Sequence, residues 1–113
     1  MQLDTYQKHA EETAIYPEFS KLLYPILGLS GESGELVNKL KKLIRDDNMT
    51  IPLHNLPIDK QIQMVDELGD ILWYVALIAR DLHFSLSAVA RRNLAKLKKR
   101  EKENKLKGEG DDR

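Results

Sequence analysis

The sequence predicts an all-α protein, a four-helix bundle-like domain. Apolar residues recur every three to four positions in four segments, and no stretch alternates apolar with polar. The prolines stand near the starts of segments or in the gaps between them.

The first helix is predicted from Asp4, read as a capping box with Gln7, to about Ile15, with Pro17 stopping it. The second starts around Pro25, an early helical position that suits proline, and runs to Arg45. Its inner stripe is Leu29, Leu36, Leu40 and Leu43. Residues 46–58 read as a loop containing Pro52 and Pro57 and the apolar residues Met49, Ile51, Leu53 and Leu56. Asp59 is the expected N-cap of the third helix, which continues to Leu82. His83 and Phe84 turn the chain, and Ser85 or Ser87 caps a fourth helix ending near Glu103.

At 113 residues this is one domain, taken as residues 1–103, followed by a charged, glycine-containing flexible tail at 104–113. There is no cysteine, which excludes disulfides, thiolate metal sites and thiol catalysis. The N-terminus lacks the layout of a signal peptide, and the longest apolar run, ILWYVALIA (71–79), is far short of the roughly 20 residues a membrane span needs. A cytoplasmic protein with no membrane partner is expected, leaving the Asn48-Met49-Thr50 sequon idle. ILWYVALIA is apolar on every side, so it needs neighbours on every side. Four short helices scarcely supply them, which predicts an oligomer.

The net charge is zero but unevenly spread. Residues 1–90 carry 8 basic and 13 acidic groups, a net of −5, whereas residues 91–107 carry 9 basic and 2 acidic groups, a net of +7. A basic helix of this kind can be a solvated face, bind a phosphate ligand with a few of its members, or bind nucleic acid. No nucleic-acid recognition motif accompanies it, so no nucleic-acid partner is assigned.

The chemistry lies in two acid pairs: Glu32 and Glu35 in GLSGESGEL, and Glu67 and Asp70 in DELGDILWY. The i, i+3 spacing puts each pair on one helix face. Spacing alone decides nothing, because 18 acids in 113 residues produce about three such pairs by chance. Placement decides. Glu67 and Asp70 share a stripe with Gln63, Tyr74 and Ile78, and Glu32 lies in line with the second helix's leucines. Acids on core-facing stripes are costly unless paired or metal-bound, and oxygen donors suit Mg²⁺. The third pair, Glu109 and Asp112, sits in the polar tail without such tension. Gly28, Gly31, Gly34 and Gly69 each cost a helix about 1 kcal/mol against alanine, which predicts close approach of a backbone or ligand.

GLSGESGELVNKLKK followed by DELGDILWYVALIARDL resembles the MazG-like all-α nucleoside triphosphate pyrophosphohydrolases, whose signature is an E-x-x-E and an E-x-x-D pair on adjacent helices. TYQKHAEETAIYP and VARRNLAKLKKR extend the resemblance over roughly residues 3 to 100. It implies Mg²⁺, with Mn²⁺ as a substitute, held by Glu32, Glu35, Glu67 and Asp70, and hydrolysis between the α- and β-phosphates of a (deoxy)nucleoside triphosphate. Glu32 and Glu35 are the catalytic candidates, one of them as general base. Lys39 is placed to reach a phosphate, while Asn93, Lys96 and Arg100 resemble the family's phosphate- and sugar-facing set. Tyr74 matches an aromatic position in the dCTP-hydrolysing relatives, and Trp73 flanks Asp70 on the other side; either suits base stacking or plain packing. The resemblance implies a homodimer or homotetramer. Phosphoribosyl-ATP hydrolysis is the alternative within the superfamily. Outside it stands a non-catalytic helical adaptor using the basic fourth helix, with the acids held in ion pairs such as Glu35–Lys39.

Overall fold

The computed structural model describes residues 1–46, 55–104 and 106–108. These form α1 (Leu3–Glu11), a short 3-10 turn (Glu18–Ser20), α2 (Leu23–Asp46), α3 (Ile58–Asp81) and α4 (Leu86–Lys102), with no strand among the described residues. The loop residues Met49, Ile51, Leu53 and His54, the sequon, and most of the 104–113 tail with its third acid pair lie outside the described residues.

α2 and α3 pair antiparallel: Gly28 meets Tyr74 near one end, and Lys39 meets Glu67 further along. α1 and α4 pack against α3 and each other. The core lies there, built from Ala10, Ala76, Leu77 and Leu86, with Tyr6, Tyr16, Trp73 and Val75 around it.

The predicted capping box is a different device. The N-cap of α1 is Gln2, without a side-chain cap, and the helix ends at Glu11, short of Ile15. Asp4 instead accepts hydrogen bonds from Ser87 N–H (2.9 Å) and Ser87 Oγ (2.7 Å), so it caps α4 from another helix. Gln7 is buried, its amide donating to the Ala76 and Phe84 carbonyls (3.1 Å each) and accepting from Leu86 N–H (3.0 Å). Both residues are used across the fold because the free N–H groups at the start of α4 lie within their reach.

Ser85 is the N-cap of α4, accepting from Ala88 N–H. Pro57, not Asp59, caps α3; its carbonyl accepts from Lys60 and Gln61, and Asp59 sits in the first turn, where a carboxylate favours the helix dipole. α3 closes with His83 at φ 65°, while Phe84 N–H reaches Ala79 O and His83 N–H reaches Arg80 O, a Schellman motif.

A second buried link joins the α1–α2 connection to the end of α3. The Asp81 carboxylate, wholly buried, accepts from Tyr16 OH (2.8 Å) and Leu22 N–H (2.9 Å) and pairs with Arg80 (3.0 Å). Leu22 holds φ 67° to make that contact. Burial pushes the Asp81 carboxyl upward, but these bonds outweigh it and hold it below the usual carboxylate range. The Tyr16 phenol is pushed up to about 12 by its burial and by the bond to Asp81.

Within one chain the 71–79 segment is only partly enclosed: Ala76, Leu77 and Ala79 are buried, while Leu72 is 39% exposed. Ile58, Ile62, Val65 and Leu72 form one exposed apolar stripe on α3, and Leu23, Leu27, Val37 and Ile44 form another on α2. No helix of the described residues is long and apolar enough to cross a membrane.

Candidate functional site

The antiparallel pairing of α2 and α3 sets the two acid motifs opposite each other. Glu32, Glu67 and Asp70 each offer a carboxylate oxygen, and these oxygens lie within 4.8 Å of one another. Glu32 and Glu67 are half-buried and Asp70 is exposed, so the cluster sits at the rim of the helix pair, open to a ligand. Like charges this close are not all ionised without compensation. Partial burial, then a hydrogen bond with Glu67, then the charges of Asp70, Glu67 and Glu35 raise the Glu32 pKa. Lys39 supplies the other compensation, its Nζ 3.4 Å from Glu67 Oε1. The oxygen-only donor set is the kind hard divalent cations favour.

Glu35 stands outside that trio. It lines a neighbouring polar cleft of about 320 Å³ between α2 and the first half of α3. Its predicted i, i+4 partner Lys39 turns to Glu67 instead, across the helix pair.

Tyr74 flanks the acids. Burial chiefly, then Tyr24, Glu32 and Asp70, raise its phenol pKa. Its ring occupies the space beside Gly28 so fully that a Cβ there would run into the ring carbons. Of the four helical glycines the sequence flagged, Gly28 alone meets such an approach; at Gly31, Gly34 and Gly69 a Cβ would touch nothing within 4 Å. Trp73 faces α1, donating from Nε1 to Thr13 Oγ1 (2.8 Å) and packing edge-on against Tyr74.

Asn93 and Lys96 line a separate groove of about 720 Å³ with Ala79, Leu82, Phe84 and Val89. Ala79, on its wall, is nine residues beyond Asp70, about 14 Å along α3. Arg100 is buried, 5% exposed, one to two turns beyond.

Two neighbours of the acids escaped the sequence reading. Tyr6 of α1 is close enough to Asp70 for that charge, after burial, to raise its pKa; nothing in its spacing signals this. Lys60 in the cleft was legible, because the stripe of Gln63, Glu67, Asp70 and Tyr74 continues back to it.

Residues 22–104, which contain both acid motifs and the fourth helix, match the profile of the MazG nucleotide pyrophosphohydrolase domain. The chain belongs to that family. It is also 41% identical over 119 residues to the Gene 37 protein of Mycobacterium phage L5, spanning all of both chains. No solved structure matches. The MazG profile begins after α1, so Tyr6, Gln7 and Trp73's partner Thr13 belong to a part of the fold outside the matched segment.

Proposed function

We propose that this chain is a Mg²⁺-dependent pyrophosphohydrolase that converts a (deoxy)nucleoside triphosphate and water into a nucleoside monophosphate and pyrophosphate, in control of the nucleotide pool. The observation that carries this reading is the Glu32, Glu67 and Asp70 trio, with its oxygens within 4.8 Å of one another, in a chain of the MazG family. Those three would hold the metal, which supplies charge neutralisation for the phosphates and a lowered water pKa. Glu35, outside the trio, is the base that takes the proton of the attacking water. The water oxygen bonds the α-phosphorus, and the electron pair of the broken bond leaves with pyrophosphate. Lys39 offsets the carboxylates and then the phosphates, and Tyr74 with Tyr24 walls the far side, where the base would lie.

The active form in this reading is a homodimer or homotetramer. Its support is the pair of exposed stripes on α2 and α3, and a radius of gyration of 17.1 Å against about 13 Å for a compact chain this long. A second copy covering the stripes would complete the enclosure of α3 and offer the α4 groove with Asn93 and Lys96 to the assembly.

Pyrophosphate release across canonical and modified (d)NTPs, with Mg²⁺, with Mn²⁺ and with EDTA, tests the reaction. Metal-dependent formation of monophosphate and pyrophosphate is expected; a folded protein that binds metal yet is silent on every (d)NTP would redirect the reading to phosphoribosyl-ATP.

A further inference from the structure

The cleft beside Glu35 has a composition that the acid cluster does not explain. Its α2 wall carries Asn38, Lys39 and Lys42, and its α3 wall carries Lys60 and Gln63. Three lysines and two side-chain amides therefore line one cavity of about 320 Å³. Lysine is a compact point charge with three donors, and amides donate as well, so the lining is made to meet an anion rich in oxygen. Leu43 and Met64 are its apolar members, too few to bed an aromatic ring.

The acids nearby do not cancel these cations. Asp46 is engaged by Arg45 through two hydrogen bonds, 2.6 and 2.8 Å. Its carboxyl is lowered first by Arg45 and further by the charges of Lys42 and Lys60, which shows both lysines close to the same wall. With Lys39 paired to Glu67 and Arg45 to Asp46, Lys42 and Lys60 stand against Glu35.

The cleft also joins the acid cluster directly. Lys39 lines it and contacts Glu67, one of the trio, at 3.4 Å. Lys60 lies seven residues before Glu67 on the same face of α3, about 10 Å along the axis. In the other direction from the acids that face carries Tyr74, with Tyr24 and Tyr6 nearby. The site is therefore polarised along α3: cations toward its N-terminal end, metal-type ligands in the middle, aromatic rings beyond.

We propose that the Lys39, Lys42 and Lys60 cleft receives the terminal phosphates of the triphosphate and holds the departing pyrophosphate, so that the nucleotide lies along α3 with its base toward Tyr74. This rests on the pyrophosphohydrolase reading and adds a direction to it. The cleaved bond then sits over the trio and Glu35, at the mouth of the cleft. Pyrophosphate leaves through the α2–α3 cleft and the monophosphate from the aromatic side.

The test is calorimetric titration of the full-length protein with inorganic pyrophosphate and Mg²⁺, in wild type and in the Lys42→Gln/Lys60→Gln double variant, followed by steady-state kinetics. Losing two charge-assisted contacts is expected to weaken pyrophosphate binding and raise the triphosphate KM by about tenfold or more. Inhibition by the monophosphate product stays unchanged. Lys42→Arg/Lys60→Arg retains most of the binding, and Lys98→Gln on the exposed face of α4 changes neither quantity. The variants' helical circular dichroism and melting temperature report whether they are folded. A folded glutamine variant that binds pyrophosphate as wild type does overturns the proposal. So does equal weakening of pyrophosphate and monophosphate, since the lysines would then act as a general field. Lysine-dependent pyrophosphate binding without turnover of any triphosphate upholds the cleft and removes the enzymatic reading. Turnover with lysine-independent pyrophosphate binding does the reverse.

Discussion

The two ends of α3 are held by opposite means. At its C-terminal end the chain meets its own needs: Gln7 satisfies three backbone groups and Asp81 gathers a tyrosine, an arginine and a backbone amide, all from within one chain. Toward the N-terminal end the same helix gathers acids beside acids, lysines around a cleft, and an apolar stripe without cover. The first arrangement is stabilising as it stands, because buried polar groups are paired. The second is favourable only when something is added to it. On the proposed function, fold and function are divided along the length of one helix, and substitutions in the two regions should have different signatures.

The largest effect belongs to the acid trio. Glu32→Gln or Asp70→Asn should lower turnover at least about a thousandfold, roughly 4 kcal/mol in the barrier. The melting temperature should hold or rise as like-charge repulsion is relieved. Pyrophosphate release and a thermal melt measure the two, and a falling melting temperature would break the division. Gln7→Leu should do the converse, costing about 2–4 kcal/mol in urea unfolding by orphaning buried backbone groups, with kcat intact in the folded fraction.

Asp81 sharpens the contrast through pH. Its folded pKa is depressed, so its contribution is present above the unfolded value near 3.9 and is lost as pH falls through the lower folded value. Asp81→Asn should therefore cost about 1–3 kcal/mol at neutral pH and flatten the acid unfolding curve below about pH 4, as followed by circular dichroism. The glycines give the smallest and most local comparison. Gly28→Ala must displace the Tyr74 ring and should cost about 1–3 kcal/mol, whereas Gly31→Ala meets open space and should stabilise by about 0.5–1 kcal/mol in the same melts.

Much of this division could be read from the residues, and the exceptions share a cause. Helical periodicity located all four helices, and the opposed acid motifs set Glu32, Glu35, Glu67 and Asp70 together, of which Glu32, Glu67 and Asp70 bring their oxygens within 4.8 Å of one another. Asp4 and Gln7 also match a local pattern, S/T/D/N followed three residues later by E/Q, yet their partners are Ser87, Leu86, Phe84 and Ala76. A capping motif describes what a side chain can bond, and tertiary packing brought a better set of free N–H groups to it. Trp73 and Tyr74 are adjacent in sequence and looked equivalent beside Asp70. Rotation by about 100° sends one to α1 and the other to Gly28. Glu35 has the spacing of a fourth ligand and lines the lysine cleft, while its charge still helps to raise the Glu32 pKa.

The stitching between α1 and the start of α4 also orders events in time. Asp4 and Gln7 leave the ribosome about 80 residues ahead of their partners at positions 84–87. Until these partners and α3 have emerged, α1, nine residues long, has no packed face and is too short to persist as a helix in water. The α2–α3 hairpin can form first from local contacts, acids and all. These residues should therefore close as one cooperative unit only after the start of α4 has emerged, with α1 the last to settle.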